Sequence, residues 1–422
     1  MTELVRGTPG LVRAVNDRAA LHLLLRQGPL TRPEISRLTG LSKPTASQVL
    51  ARLEGAGLVV GNGLRTGLPG RVPETYRVNP AAAYATAVDV TPERIAVRTA
   101  DVTGTVLGES EAPVPAGADR EALVAALRTA LGRVPAPERP KRVVVGVQGA
   151  LDPTTGRLAY ASEEDMAAWL FPDVERTLGE ALGLPVRIEN DVNLAAVAER
   201  AHAAADCPDF VLLWADEGLG AALVIGGRLH RGHFGGAGEV GYLPLPGAPT
   251  AREAGDHYGR HGYQELAGGD AVRDLLHAHG VPGADFAETV AEAARRAGAT
   301  PGNEAEAVRR AGATSGNEAE AARAGLAAVA ARLAAGLASI VTVVDPGLVV
   351  LAGRLCAAGG EPLRALVERE LRVLAHSRAR IRLSAVTGNP VLAGALDLAL
   401  AAAREEVFGG PPPLGPPSTP GF

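Results

Sequence analysis

The stretch from Thr31 to Leu53 constrains the fold more than any other part of the chain. It reads as two short helices joined by one tight glycine turn. Thr31 and Ser42 each stand two residues before a proline, Pro33 and Pro44, and a capping oxygen followed by an early proline marks a helix start. Gly40 closes the first helix. Ile35, Leu38, Leu41, Ala46, Val49, Leu50 and Leu53 supply the apolar positions, and small Ser36 lies where the two helices must approach closely. This is the helix-turn-helix pattern, whose second helix enters the major groove of DNA.

The flanks extend the pattern. An amphipathic helix from Ala14 to Arg26 precedes it, stopped by Gly28-Pro29. After it, LVVGNGLRTGLPGRVPETYRV predicts two strands around a glycine-rich turn, a wing bearing Arg65 and Arg71. The exposed face of the second helix would present Ser42, Lys43, Thr45, Ser47, Gln48 and Arg52, side chains that read base edges or hold phosphates. Residues 1–80 carry 11 Lys+Arg and 5 Asp+Glu, a net of +6. The whole chain is −5, which leaves −5 − 6 = −11 on the remainder. A basic head on an acidic body fits a DNA-binding domain over 1–80, with double-stranded DNA as its partner. The same three helices without DNA would be a structural or dimerisation module with a solvated polar face.

Two cysteines cannot build a disulfide framework or a four-thiolate zinc site. No uninterrupted apolar run reaches about 18 residues, and MTELVRGTPG lacks the apolar stretch of a signal peptide. The expectation is a cytoplasmic protein with no membrane partner. From Tyr84 the sequence alternates strands and helices. TAVDVTPERIAVRTADVTGTVLGES gives three strands, and Asp119 to Leu131 a helix. The strand VVVGVQG is apolar throughout, as in a sheet covered on both faces. PVRIEND, the helix NLAAVAERAHAA, the pair FVLLWADEGLGAALVIGG and the strand GLVVLAG follow. Two such sets predict an α/β body of two lobes with a cleft between them. Lobe 1 is expected over 81–198, completed by a helix at 388–406, and lobe 2 over 199–387. RRAGATPGNEAEAV and RRAGATSGNEAEAA form a 14-residue tandem repeat at 295–322, read as an insertion in an exposed helix or loop. The Pro/Gly-rich tail 409–422 reads as disordered.

A winged helix joined to a body with END, a glycine-rich hairpin, GGAGEVGY and VDPGLVVLAG, in that order, resembles the repressor, ORF, kinase (ROK) family. The resemblance spans nearly the whole chain. It implies an actin-like, ribonuclease H-like ATPase fold for the body, and either a sugar-responsive regulator or a sugar kinase. Asn190 and Asp191 match the pair this family places at the sugar, where in kinases the aspartate takes the proton of the attacking hydroxyl. The motif G-E-[IV]-G-H appears as Gly238 to Tyr242, making Glu239 a second carboxylate for sugar hydroxyls, with Tyr242 beside it. In C-x-C-G-x-x-G-C-[LIV]-E, read over Asp256 to Glu265, the glycines and Glu265 align. Asp256, Tyr258 and Tyr263 stand in place of the three cysteines, and Tyr242 in place of the histidine. None of the four zinc ligands remains, no metal is expected, and aromatic packing around Tyr258 and Tyr263 is expected to rebuild the loop. The histidines at 230, 233, 257 and 261 carry no metal assignment.

The nucleotide half departs further from the family. D-x-G-G-T is replaced by Asp89-Val90-Thr91-Pro92-Glu93, which loses the glycines and one N–H donor. G-T-G-x-G is replaced by Asp216-Glu217-Gly218-Leu219-Gly220, which puts two carboxylates where phosphate would lie. Only Ala352-Gly353 survives on the adenosine side. The expectation is therefore a regulator and not an enzyme, with no cofactor. It would be a repressor of carbohydrate-utilisation genes that binds a sugar or sugar derivative at Asn190, Asp191, Glu239, Tyr242 and Glu265, as a homodimer or tetramer. A ROK sugar kinase with a DNA-binding head, and a ligand-independent DNA-binding regulator, are the alternatives.

Overall fold

The computed structural model describes residues 9–64, 74–135, 137–160, 166–254, 261–298 and 316–409. The head consists of α1 (Pro9–Gln27), β1 (Leu30–Thr31), α2 (Arg32–Thr39), α3 (Lys43–Gly55), β2 (Val59–Leu64) and β3 (Glu74–Val78). Both expected caps form. Thr31 Oγ1 accepts the Glu34 N–H while the Glu34 carboxylate accepts the Thr31 N–H, and Ser42 Oγ accepts the Thr45 N–H. Gly40 ends α2 at φ 71°, a left-handed position where a side chain would be strained. Ser36 Oγ donates to the Leu41 carbonyl at 2.7 Å and so pins the turn. Ile35, Ala46, Val49, Leu50 and Leu53 are buried, but Leu38 is 39% exposed, because it lies on the outer face of α2. The head sheet has the order β1-β3-β2, all antiparallel. Arg65 and Arg71 lie outside the described residues.

The body contains two five-stranded sheets of one topology. The first uses β4 (Tyr84–Val90), β5 (Arg94–Asp101), β6 (Val106–Pro113), β7 (Arg142–Val147) and β10 (Val186–Asn190), in the order β10-β7-β4-β5-β6. Between β7 and β10 lies a hairpin of β8 (Ala150–Asp152) and β9 (Arg157–Ala159). The second sheet uses β11 (Phe210–Ala215), β12 (Leu219–Ile225), β13 (Arg228–His230), β14 (Leu348–Ala352) and β15 (Arg380–Leu383), in the order β13-β12-β11-β14-β15. In each, three antiparallel strands are followed by two parallel ones. The fold is therefore a duplicated, ribonuclease H-like α/β unit behind a winged helix, as expected.

Helices α4 (Arg120–Gly132), α5 (Val174–Leu182) and α6 (Asp191–His202) belong to the first half. The second half adds α7 (Tyr263–Ala267), α8 (Gly269–Ala278), α9 (Phe286–Ala297), α10 (Gly316–Val344) and α11 (Arg354–Leu374). Helix α10 is long and apolar enough to cross a membrane. Here Leu326, Val329, Leu333 and Leu337 bury it in the core of the second lobe, so its composition reflects a core helix. The tandem repeat straddles the end of α9 and the start of α10; its residues 299–315 and the tail from 410 lie outside the described residues.

The last helix, α12 (Pro390–Phe408), packs on β4, β7 and α6 through Val391, Leu392, Ala395 and Ala399. Its end joins the head. Phe408, with Val102 at the β5–β6 turn, sits in the same apolar cluster as Leu21, Leu24, Ile35 and Leu50. Arg404 donates to the Val102 carbonyl at 2.9 Å, and the His22 and Phe408 rings meet edge to face at 6.3 Å. Burial and nearby Arg18, Arg26 and Arg404 hold His22 below the usual histidine range.

Candidate functional site

A cleft of about 2100 Å³ separates the two lobes. It opens where parallel strands of both sheets end, the place where α/β sheets bind ligands. Asn190, Asp191, Glu239, Tyr242 and Glu265 all line it, so residues 75 positions apart in sequence share one cavity. Asn190 is fixed twice. Its Oδ1 accepts the Asn193 N–H at 3.0 Å as the cap of α6, and its Nδ2 donates to the Gly149 carbonyl at 3.1 Å. Asp191 opens α6 and accepts the Val192 N–H at 2.8 Å.

Asp191 and Glu239 have no ion-pair partner among the described residues. Burial, reinforced by the charges of Asp89 and Asp216, pushes the Asp191 carboxyl up to about 7 despite the backbone N–H it accepts. Burial and the charge of Asp191 push Glu239 up to about 8. Two partly buried carboxyls thus line the cleft without an ion-pair partner among the described residues, an arrangement that can exchange hydrogen bonds with a polyhydroxyl ligand.

Asp89 and Asp216, which also line the cleft, are bonded to neighbours. Asp89 accepts from Asn389 Nδ2 at 2.7 Å, with Arg94 at 3.5 Å; burial raises its pKa against these two partners. Asp216 accepts the Arg354 backbone N–H at 2.8 Å and its guanidinium at 2.7 Å, so a carboxylate sits on the N-terminus of α11. The Arg354 guanidinium also lies 4.8 Å over the Phe286 ring. The turn after Asp216 is held by Gln264, whose Nε2 donates to the Glu217 carbonyl at 2.9 Å and whose Oε1 accepts the Leu219 N–H at 2.8 Å. On the other lobe, Thr91 to Arg94 forms a closed turn through Thr91 N–H to the Arg94 carbonyl at 2.9 Å. Sequence reasoning missed Gln264, Asn389 and Arg354. Their positions beside Glu265, before Pro390 and after Gly353 were the available signals.

The zinc motif of the family can be tested against the side chains that replace it. Tyr263 is fully buried, and its hydroxyl donates to the Leu333 carbonyl at 2.7 Å. Burial drives its pKa well above the usual phenol range, so it stays protonated. Gly336 in α10 leaves room for the ring; a Cβ there would come within 2.3 Å of it. Tyr242 packs its ring against His261 at 5.3 Å, and His261 is 4% exposed with no partner for Nδ1 among the described residues. Asp256, His257 and Tyr258 lie outside the described residues, so the expected packing around Tyr258 does too. Among the described residues no three His, Cys, Asp or Glu side chains converge. A neutral phenol bonded to a helix carbonyl does not fit zinc, and the donor set present does not fit the metal.

On the head, Ser42, Lys43 and Gln48 are exposed along α3, and Thr45 and Ser47 are partly exposed. Ser42 Oγ and Thr45 Oγ1 lie 2.8 Å apart, and Ser47 Oγ donates to the Lys43 carbonyl at 3.0 Å. Arg52, expected among the DNA contacts, has a side chain 39% exposed. Its guanidinium pairs with Asp17 at 2.6 Å and ties α3 to α1, because the two helices cross one turn before α3 ends.

The ROK family profile matches residues 85–402, and a MarR family profile matches residues 15–63. A xylose repressor of Caldicellulosiruptor bescii is 28% identical over 245 residues, covering 57% of this chain and 61% of that protein. The chain thus spans about three fifths of the curated relative's length. Among solved structures, a ROK family transcriptional regulator homologous to the Escherichia coli MLC protein superposes with a TM-score of 0.69 at 18% identity, covering 94% of this chain and 99% of that one. A ROK hexokinase from Thermus thermophilus superposes with a TM-score of 0.57 at 26% identity, covering 76% and 99%.

Proposed function

Because the chain belongs to the ROK family, we propose that it is a cytoplasmic, sugar-responsive DNA-binding transcription regulator that represses carbohydrate-utilisation genes and transfers no phosphate. The single observation behind this reading is the division of the cleft. Asp191 and Glu239 face it without a cation, whereas Asp216 occupies the N-terminus of α11 as the partner of Arg354. A nucleotide phosphate placed at that helix end would have to displace a carboxylate already bonded there. A sugar hydroxyl at Asp191 or Glu239 displaces only water.

Ligand then shifts an equilibrium between two lobe arrangements, and only differential affinity for the two is needed. Helix α12 is suited to carry that change. Its cap Asn389 is bonded to Asp89 in the cleft, and its last residue Phe408 lies in the head core. Helix-turn-helix heads bind paired half-sites, which favours a homodimer. Ser42, Lys43, Thr45, Ser47 and Gln48 supply base and phosphate contacts, with Arg65 and Arg71 in the wing and Arg52 holding α3 in place.

A thermal-shift screen of the full chain against D-xylose, D-glucose and ATP–magnesium tests the reading. A sugar at about 100 times its Kd adds about 2.7 kcal/mol and raises Tm by a few degrees. A sugar shift with none for ATP–magnesium is the expected result. A shift with ATP–magnesium overturns it in favour of a kinase, and silence across the panel favours a ligand-independent regulator.

A further inference from the structure

Tyr160 directly follows the hairpin β8–β9, whose Leu151 carbonyl lies against Gly235 of the opposite lobe. The pairing of Ala150 with Ala159 sets Tyr160 beside Gly149, whose carbonyl accepts from Asn190. Tyr160, Asn190 and Asp191 all line the same cleft. From the opposite lobe comes Gly235-Gly236-Ala237-Gly238, which leads into Glu239. A Cβ on Gly236 would lie 2.5 Å from the Tyr160 ring, and one on Gly235 would lie 2.3 Å from the Leu151 carbonyl. These two glycines let the loop bearing Glu239 close down on the hairpin. Tyr160 and Tyr242 both line the cleft, with ring centroids 6.2 Å apart and planes inclined by 47°.

Tyr160 also has φ 57°, a left-handed conformation in which a bulky residue is an outlier. Such strain persists only where the surroundings impose it, and it concentrates at binding sites. Asparagine or glycine would adopt this backbone more easily, yet the position carries a large aromatic ring that lines the cleft.

We infer that Tyr160 is a further ligand-contacting residue: with Tyr242 it forms an aromatic wall, one ring from each lobe, against which the C–H face of a sugar ring packs while Asp191 and Glu239 take its hydroxyls. The negative face of an aromatic ring attracts such C–H groups, and a wall shared between lobes is complete only when they are close together. The inference rests on the sugar reading above.

The test titrates D-xylose and D-glucose into the full-length wild type and into Tyr160→Gly, Tyr160→Asn and Tyr160→Phe, reading Tm with and without sugar. Glycine and asparagine remove the ring but suit the backbone. They are expected to keep or raise the sugar-free Tm while weakening the bound sugar about tenfold. Tyr160→Phe, which keeps the ring, is expected to bind within about twofold of wild type. A folded ring-free variant that binds as tightly as wild type overturns the inference alone. So does a loss of sugar-free stability in both ring-free variants, because the ring would then be a structural plug. A wild type shifted by neither sugar overturns the sugar reading and this inference together.

Discussion

Asp191 and Glu239 on one side of the cleft and Asp216 on the other are similar carboxylates held in opposite ways. In the sugar half, Asp191 and Glu239 have no ion-pair partner among the described residues; Asp89 and Asp216 act on Asp191, and Asp191 acts on Glu239. In the nucleotide half, Asp216 is bonded to the backbone and guanidinium of Arg354. The difference teaches which half still has bonding capacity to offer a ligand. A carboxylate whose oxygens are already satisfied at a helix N-terminus gains little from an incoming group and repels an anionic one. A partly buried carboxyl without an ion-pair partner keeps hydrogen-bonding capacity, and a ligand that bonds to it offsets part of its burial cost.

The largest effect is expected from breaking the sugar half. Glu239→Gln with Asp191→Asn should weaken the sugar that stabilises the wild type by up to about 100-fold, since each hydrogen bond to a largely protonated carboxyl contributes about 0.5–1.5 kcal/mol. An isothermal titration giving an unchanged Kd would erase the distinction between the halves. Next comes Asp216→Ala, which removes the carboxylate from the end of α11. Unfolding by urea should show a loss of about 1–2 kcal/mol, with sugar affinity within about twofold of wild type.

The third effect is a pH dependence carried chiefly by Asp191 and Glu239, with Asp89 shifted in the same direction. The folded-state pKa values of Asp191 and Glu239 lie above their unfolded values, so between the two the native state holds more protons than the unfolded state. Stability without ligand is therefore fully present below the unfolded carboxylate pKa and falls as pH rises toward about 7 and about 8. Tm measured from pH 5 to pH 8 should decline, and Asp191→Asn should flatten the decline; a Tm that rises over this window would contradict the geometry. The smallest effect is expected for Arg94→Ala. Its pairs with Asp89 and Glu111 involve a guanidinium 41% exposed, and exposed pairs contribute less than about 1 kcal/mol. A larger loss would show that the first turn is tied as firmly as the second.

Much of the head was legible because its signals are local. The caps at Thr31 and Ser42 and the turn at Gly40 each depend on residues within four positions. Asn190, Asp191, Glu239 and Glu265 could be selected by their motifs, and all four line the cleft. Arg52 was not legible, because its partner Asp17 is 35 residues away and only the crossing of α1 and α3 brings them together. Tyr160 was equally hidden. Its neighbours Gly236 and Tyr242 come from the other lobe, and its left-handed backbone leaves no mark in sequence.

The sequence by itself determined the order of elements, the basic head, the duplicated strand pattern and the carboxylates present in each motif. Those features follow from local capping, from hydrophobic periodicity and from charge, which act over a few residues. Only the tertiary structure decided which carboxylates are bonded and which are open, because that depends on partners such as Arg354 and Asn389, 138 and 300 residues from the acids they hold. It also decided that Tyr263 fills a core space left by Gly336, and that Phe408 closes the core of a head more than 300 residues before it. Burial and long-range hydrogen bonds are properties of packed surfaces, and a motif fixes a residue's identity without fixing what lies against it.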